Sequence, residues 1–120
     1  MKNTDIKSIF ESFNQFNILI IGDVMIDSYM WGKVNRISPE APVPIIMSTH
    51  QENRLGGAAN VALNVQALGA NPILCAVIGK DSKAKTFHSL LKKRNLTSEG
   101  IIEDEIRKTT LKTRIIADNQ

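Results

Sequence analysis

Gly56-Gly57-Ala58-Ala59-Asn60-Val61-Ala62-Leu63-Asn64-Val65-Gln66-Ala67-Leu68-Gly69 runs directly into Ala70-Asn71-Pro72-Ile73-Leu74-Cys75-Ala76-Val77-Ile78-Gly79. The first part reads as a helix over about residues 58–68, opened by a double glycine and followed by Gly69 in the place of a helix terminator. It is apolar on most sides, so it is expected to lie well buried against a sheet. Pro72 to Ile78 is a nearly continuous apolar run that ends in glycine, and it reads as the next strand.

The same alternation continues on both sides. Upstream, Ile18-Leu19-Ile20-Ile21 closes on Gly22, the pattern of a parallel strand buried on both faces. Before it, Ile6, Ile9, Phe10 and Phe13 recur at helical spacing and predict an amphipathic helix over residues 5–14. Downstream, Ala84, Phe87, Leu90 and Leu91 share one face of a helix over residues 82–94, with Asp81 or Ser82 at its N-cap. Short strands follow at Ile101-Ile102 and Leu111–Ala117. Strand, helix, strand, helix in this order predicts an α/β fold with parallel strands. Residues 29–48 break the pattern. Gly32, Pro39, Pro42 and Pro44 interrupt them, and prolines confine strands to edges. They read as strand pieces standing out from the main sheet.

Composition excludes several classes. With 42% hydrophobic and 22% charged residues, the 120-residue chain is ordinary globular protein. The net charge of +3 is mild, and Lys92-Lys93-Arg94 reads as a solvated helix end that suits the macrodipole, not a nucleic-acid patch. The single cysteine, Cys75, cannot form an intrachain disulfide and reads as a buried thiol suited to a reducing cytoplasm. His50 and His88 show no metal-ligand spacing. No signal peptide and no span of roughly 20 apolar residues is expected.

Two places can carry chemistry. Gly22-Asp23-Val24-Met25-Ile26-Asp27 follows the first strand, where open α/β sheets bind ligands. Two carboxylates there can accept hydrogen bonds from several hydroxyls. Alternatively, Asp23 caps a turn and Asp27 is solvated. The second place is Gly56-Gly57-Ala58-Ala59-Asn60: two glycines allow close backbone approach, and Asn60 in the first helical turn offers a donor and an acceptor. A dinucleotide fingerprint would need three glycines after the strand, and Gly79-Lys80-Asp81-Ser82 lacks the earlier glycine of a phosphate loop.

Taken together, Gly22…Asp27, Gly56-Gly57, Asn60, Ala62, Gly69 and Gly79 stand at the spacing of the first signature of the ribokinase-like (phosphofructokinase B) sugar kinases, which this chain resembles. Arg36-Ile37-Ser38-Pro39-Glu40-Ala41-Pro42-Val43-Pro44 and Thr109-Thr110-Leu111-Lys112-Thr113-Arg114 resemble the heptose 7-phosphate kinases, whose kinase domain often precedes an adenylyltransferase. The match covers about residues 16–120 and would be the leading part of one kinase domain. The resemblance implies a mainly parallel sheet flanked by helices, with a small β lid built from segments 29–48 and 109–117. It implies that Asp27 and Asn60 bind sugar hydroxyls, that Gly56 and Gly57 line the pocket, and that lids pair between two subunits. ATP and Mg²⁺ are the implied cofactors, bound mainly beyond this segment. The family's Gly-Ala-Gly-Asp motif, which holds the catalytic base, is absent, so no residue here is assigned as the base. A substrate already carrying a phosphate needs cations, and Arg36, Lys112 and Arg114 in the lid segments are the residues expected to supply them. Lys112 and Arg114, two apart on a strand, share one face.

The implied reaction is transfer of the ATP γ-phosphoryl group to the anomeric hydroxyl of a heptose 7-phosphate. The segment alone is expected to be inactive. Two other readings compete: a sugar or nucleoside kinase of the same superfamily with a different acceptor, and a non-catalytic α/β binding module. A reading frame running on into Gly-Ala-Gly-Asp would exclude the latter.

Overall fold

The computed structural model describes residues 2–117. The closing Asp118-Asn119-Gln120, expected to follow directly on the last strand, lies outside the described residues. In chain order the elements are α1 (Asn3–Ser12) with a 3-10 turn at Phe13–Gln15, β1 (Asn17–Ile21), β2 (Val24–Ile37), β3 (Pro44–Gly57), α2 (Ala58–Ala67), β4 (Asn71–Gly79), α3 (Ser82–Lys93), β5 (Ile101–Asp104) and β6 (Leu111–Ala117).

They form two three-stranded sheets. β1, β4 and β5 lie in the order β1-β4-β5 and are parallel throughout, as the uninterrupted apolar runs predict. The second sheet has the order β3-β2-β6, with β2 and β3 an antiparallel hairpin and β6 parallel to β2. The segment expected as broken strand pieces over 29–48 is instead one long hairpin. β2 begins at Val24 and is the central strand of this sheet, and β3 runs on to Gly57. Bulges between Trp31 and Gly32 and between Val34 and Arg36 absorb the irregularity that the sequence pattern showed. Pro39 and Pro42 fall in the hairpin turn, and Pro44 opens an edge strand, where a missing N–H does least harm.

One core joins both sheets. Val24, Ile26 and Leu55 from the hairpin base meet Ala59 and Ala62 of α2, Leu74, Ala76 and Ile78 of β4, and Ala84, Phe87 and Leu91 of α3. Phe87 is fully buried, so truncating it to alanine costs about 3–5 kcal/mol. Asp81 is the N-cap of α3, its carboxylate accepting the Ala84 N–H.

Three expectations of burial need correction. β1 is not buried on both faces: Leu19 is 59% and Ile21 76% exposed. β1 is an edge strand, and α2 and α3 both pack on the sheet face of Leu74, Ala76 and Ile78. Nothing among the described residues covers the opposite face, which carries Leu19, Ile21, Val77 and Ile102. Cys75, which alternates with Leu74 and Ala76, faces that side and is half-buried instead of enclosed. α2 buries only Ala59 and Ala62 fully, leaving Val61 and Leu68 about half exposed, because it has a sheet on one side only.

Candidate acceptor site on the second sheet

β2 alternates strictly at its base. Val24, Ile26 and Ser28 point into the core, and Met25, Asp27, Tyr29 and Trp31 form a row on the open face. The register sets a residue on either side of each. Asp27 stands between Arg54 of β3 and Lys112 of β6, Tyr29 between Glu52 and Arg114, and Trp31 between His50 and Ile116. Cross-strand partners share a face, so the sheet gathers two carboxylates, three cations and three rings.

Asp27 is the most constrained of these. Its side chain is 20% exposed, and its Oδ1 is buried with no hydrogen-bond partner among the described residues. The nearest cation, Arg114 Nη1, lies 3.9 Å from it, an ion-pair distance but not a hydrogen bond. A buried carboxylate oxygen without a donor is costly, so this atom is suited to a hydroxyl brought by a ligand. Asp23 behaves otherwise. It is exposed, Arg107 Nη2 donates to its Oδ1 at 3.3 Å, and its carbonyl accepts the Ala58 N–H at 2.8 Å. Of the two carboxylates considered from the sequence, Asp23 fastens a turn and Asp27 faces the open site.

The two glycines do different things. Gly56 lies opposite Met25, and a Cβ there would stand 2.8 Å from Met25 Cγ and 3.2 Å from Asp27 Oδ2. Its lack of a side chain keeps the wall beside Asp27 low. Gly57, at φ 62° and ψ −135°, occupies backbone space open mainly to glycine, and its Cβ would stand 2.5 Å from the Asp23 carbonyl oxygen. The space a side chain would take at Gly57 belongs to the chain's own backbone, not to a ligand.

Tyr29 was not singled out in the sequence, and neither was Arg54. The Arg54 guanidinium lies 4.4 Å and that of Arg114 5.2 Å from the Tyr29 ring centroid, and Arg114 Nη1 donates to the Tyr29 hydroxyl. Arg54 also grips Glu52 with Nε and Nη2 at 3.0 and 3.1 Å, and this bond holds the Glu52 carboxyl below its ordinary range and raises Arg54. Tyr29 stacks on Trp31 at 5.7 Å, and Trp31 on His50 at 5.0 Å. The alternation of Asp27, Tyr29 and Trp31 against Ile26 and Ser28 was the available signal; recognising 49–57 as their partner strand would have found Arg54.

The remaining expected residues divide. Lys112 and Arg114 do share a face and flank Asp27 and Tyr29. Asn60, in the first turn of α2, lines a hollow with Asn53, Arg54 and Leu55, which adjoins the row through Arg54. Arg36 pairs with Ile45 near the hairpin tip, nine positions along β2 from Asp27. That is a distance of about 30 Å on an extended strand, so Arg36 is not brought to the others.

Residues 15–120 match the family model described as pfkB family carbohydrate kinase. The chain belongs to that family. It is 53% identical over 103 residues to the bifunctional protein HldE of Helicobacter pylori strain G27, covering 86% of this chain and 22% of that protein. It is 42% identical over 120 residues to the bifunctional protein HldE of Geotalea uraniireducens, covering 100% of this chain and 24% of that one. The chain thus spans about a quarter of the length of these relatives. A putative ribokinase from Agrobacterium tumefaciens superposes with a TM-score of 0.67 at 17% identity, over 85% of this chain and 32% of the other. A nucleoside kinase from Methanocaldococcus jannaschii, described as an archaeal member of the ribokinase family, gives 0.59 at 22%, over 82% and 32%. Both identities are low, so these two establish the fold: it is ribokinase-like α/β, and only part of that fold is present. In this pfkB family chain no group of three or more His, Cys, Asp or Glu among the described residues could hold a metal ion. No helix among the described residues is long and apolar enough to cross a membrane.

Proposed function

We propose that this chain is the acceptor-binding part of a cytoplasmic sugar kinase that transfers the ATP γ-phosphoryl group to the anomeric hydroxyl of a heptose 7-phosphate. The product, heptose 1,7-bisphosphate, would lead toward ADP-heptose and the lipopolysaccharide core. The observation that carries this reading is Asp27: a half-buried carboxylate whose Oδ1 has no hydrogen-bond partner among the described residues, beside a wall kept low by Gly56, on the open face of a sheet. Such a group accepts hydroxyl hydrogen bonds, and charged hydrogen bonds of this kind are worth about 1.5–3 kcal/mol. Asn60 contributes a second polar contact from the neighbouring hollow. Gly57 sets the turn that brings α2 behind Gly56. Phosphoryl transfer depends mainly on positioning and charge stabilisation, and this segment supplies the positioning of the acceptor. The base, the nucleotide site and the Mg²⁺ belong to the rest of the kinase domain, and the segment alone is inactive.

The hairpin supports the remaining parts of the reading. Its far end exposes Ile37, Val43 and Met47 at 68%, 52% and 63%, an apolar edge suited to the lid of a second subunit. Arg36 lies at that end and is read as reaching an acceptor only across such a lid pair.

The test is to assay the full-length protein with ATP against a panel of sugars and sugar phosphates, locating the new phosphate by NMR. Phosphorylation at the anomeric carbon of heptose 7-phosphate supports the reading. Preference for another sugar or a nucleoside assigns the chain to a different kinase of the family, and absence of phosphoryl transfer to the whole panel overturns the kinase reading.

A further inference from the structure

We propose that Arg54 and Arg114, held by Tyr29 between them, form the subsite for the phosphate that the acceptor already carries. The inference rests on the sugar-phosphate reading above and names residues for one part of it. Arg54 comes from β3, Tyr29 from β2 and Arg114 from β6, so three strands fix the geometry. The guanidinium groups stand 4.4 and 5.2 Å from the Tyr29 ring centroid. Each guanidinium carries five N–H donors. Arg54 spends Nε and one hydrogen of Nη2 on Glu52, and Arg114 spends one on the Tyr29 hydroxyl, which leaves several donors on both. Lys112 adds a third cation two residues along β6 from Arg114, opposite Asp27. Against Asp27 and Glu52, these three leave the face one positive charge in excess, before a phosphate arrives.

The spacing fits one small ligand. Asp27 and Tyr29 are two residues apart on β2, about 7 Å along the strand. A sugar ring whose hydroxyls meet Asp27 therefore extends its exocyclic phosphate over Tyr29, between the two arginines. Phosphate favours such a pair because the planar fork matches two oxygens at once. The aromatic ring keeps both side chains in place before binding, which lowers the ordering cost.

The phosphate that binds here could belong to the acceptor or to the nucleotide, and kinetics separate the two. In the full-length kinase, Arg54→Ala, Arg114→Ala and the double variant are compared with wild type on phosphorylated and unphosphorylated forms of the same sugars, with ATP varied separately. The expected result is a KM increase of roughly ten- to a hundredfold per arginine for the phosphorylated sugars. KM for ATP should be unchanged, and KM for the plain sugars should rise far less than KM for the phosphorylated ones, since Arg114 also stands 3.9 Å from Asp27. Arg54→Lys should recover only part of the loss, because an ammonium lacks the fork. Inorganic phosphate should compete with the sugar phosphate in wild type and lose that competition in the double variant. Equal loss on both sugar forms, a raised KM for ATP, or a wild-type enzyme indifferent to the sugar's phosphate would each overturn the subsite. A wild-type preference for some other sugar phosphate, abolished by both variants, would support the subsite while refuting the heptose reading.

Discussion

Gly56 and Asp27 lie on adjacent strands of the hairpin, close enough that a Cβ on the glycine would stand 3.2 Å from Asp27 Oδ2. Gly56 itself pairs with Met25, one step along β2 on the same face. The glycine and the carboxylate are thus two sides of one recess. Its depth is set by the absence of a side chain, and its chemistry by the Asp27 Oδ1, which has no hydrogen-bond partner among the described residues.

The first prediction separates the two glycines. Gly56→Ala should fold at a modest cost, because Met25 must change rotamer to free its Cγ from the 2.8 Å approach of the new Cβ, and should raise the acceptor KM. Gly57→Val should instead destabilise the protein by at least about 1–3 kcal/mol, because it forces a β-branched residue into glycine's backbone region. The fixed Asp23 carbonyl at 2.5 Å adds a clash to that strain. Thermal unfolding and acceptor KM, measured on both variants of the full-length kinase, give the answer. Normal stability of Gly57→Val contradicts the argument.

Asp27→Ala should cost function without costing stability. In the full-length kinase kcat/KM for the acceptor should fall by about several-fold to a thousandfold, with Asp27→Asn milder. The midpoint of unfolding should stay or rise, since the lost oxygen had no hydrogen-bond partner among the described residues. Wild-type kinetics in the alanine variant would remove Asp27 from the site.

Acid should loosen the start of β6. Asp81 accepts from the Thr109 N–H at 2.9 Å and from the Ala84 N–H at 2.8 Å, while Thr109 Oγ1 accepts from the Gly79 N–H. These bonds, the Thr109 one foremost, hold the Asp81 carboxyl below its ordinary value of 3.8. A lowered carboxyl stabilises the fold fully above that ordinary value and loses its contribution as pH falls through the folded one. Amide exchange at Thr109 should therefore accelerate in wild type as pH drops below 3.8, beyond the intrinsic pH dependence of exchange. In Asp81→Asn that extra step should be missing; identical profiles would rule out Asp81 as the tether.

Position along β2 should rank the cations. Arg114, opposite Tyr29, and Lys112, opposite Asp27, should each matter more to acceptor KM than Arg36 near the hairpin tip. Single alanine variants assayed on the sugar phosphate test the order, and a larger loss at Arg36 would mean that the lid reaches the acceptor by another route.

The local patterns were legible from residues alone. The runs Ile18–Ile21 and Pro72–Ile78, the apolar stripe Ala84, Phe87, Leu90 and Leu91, and the cap at Asp81 each record a neighbour or a periodicity within a few positions, and each element formed where expected. The need for glycine at 57 was legible for the same reason, since a turn is a local event. Burial was not. Leu19 and Ile21 have the composition of a core strand, yet they lie on a sheet face that no described element covers, and hydrophobicity in sequence cannot state which elements are present to cover it. The site was half legible. Asp27 and Gly56 came from motif spacing, and Lys112 and Arg114 from the cations a phosphorylated acceptor would need, but Arg54 and Tyr29 acquire their meaning only when β3 and β6 are laid against β2 in one register. The two bulges offset one another, so 27 meets 54 in the register set at the hairpin turn, and 27 meets 112 through the docking of β6 on β2, with Thr109 tethered to Asp81. A one-residue slip in that register would turn the arginines to the opposite face, so tertiary structure alone decides which charges meet.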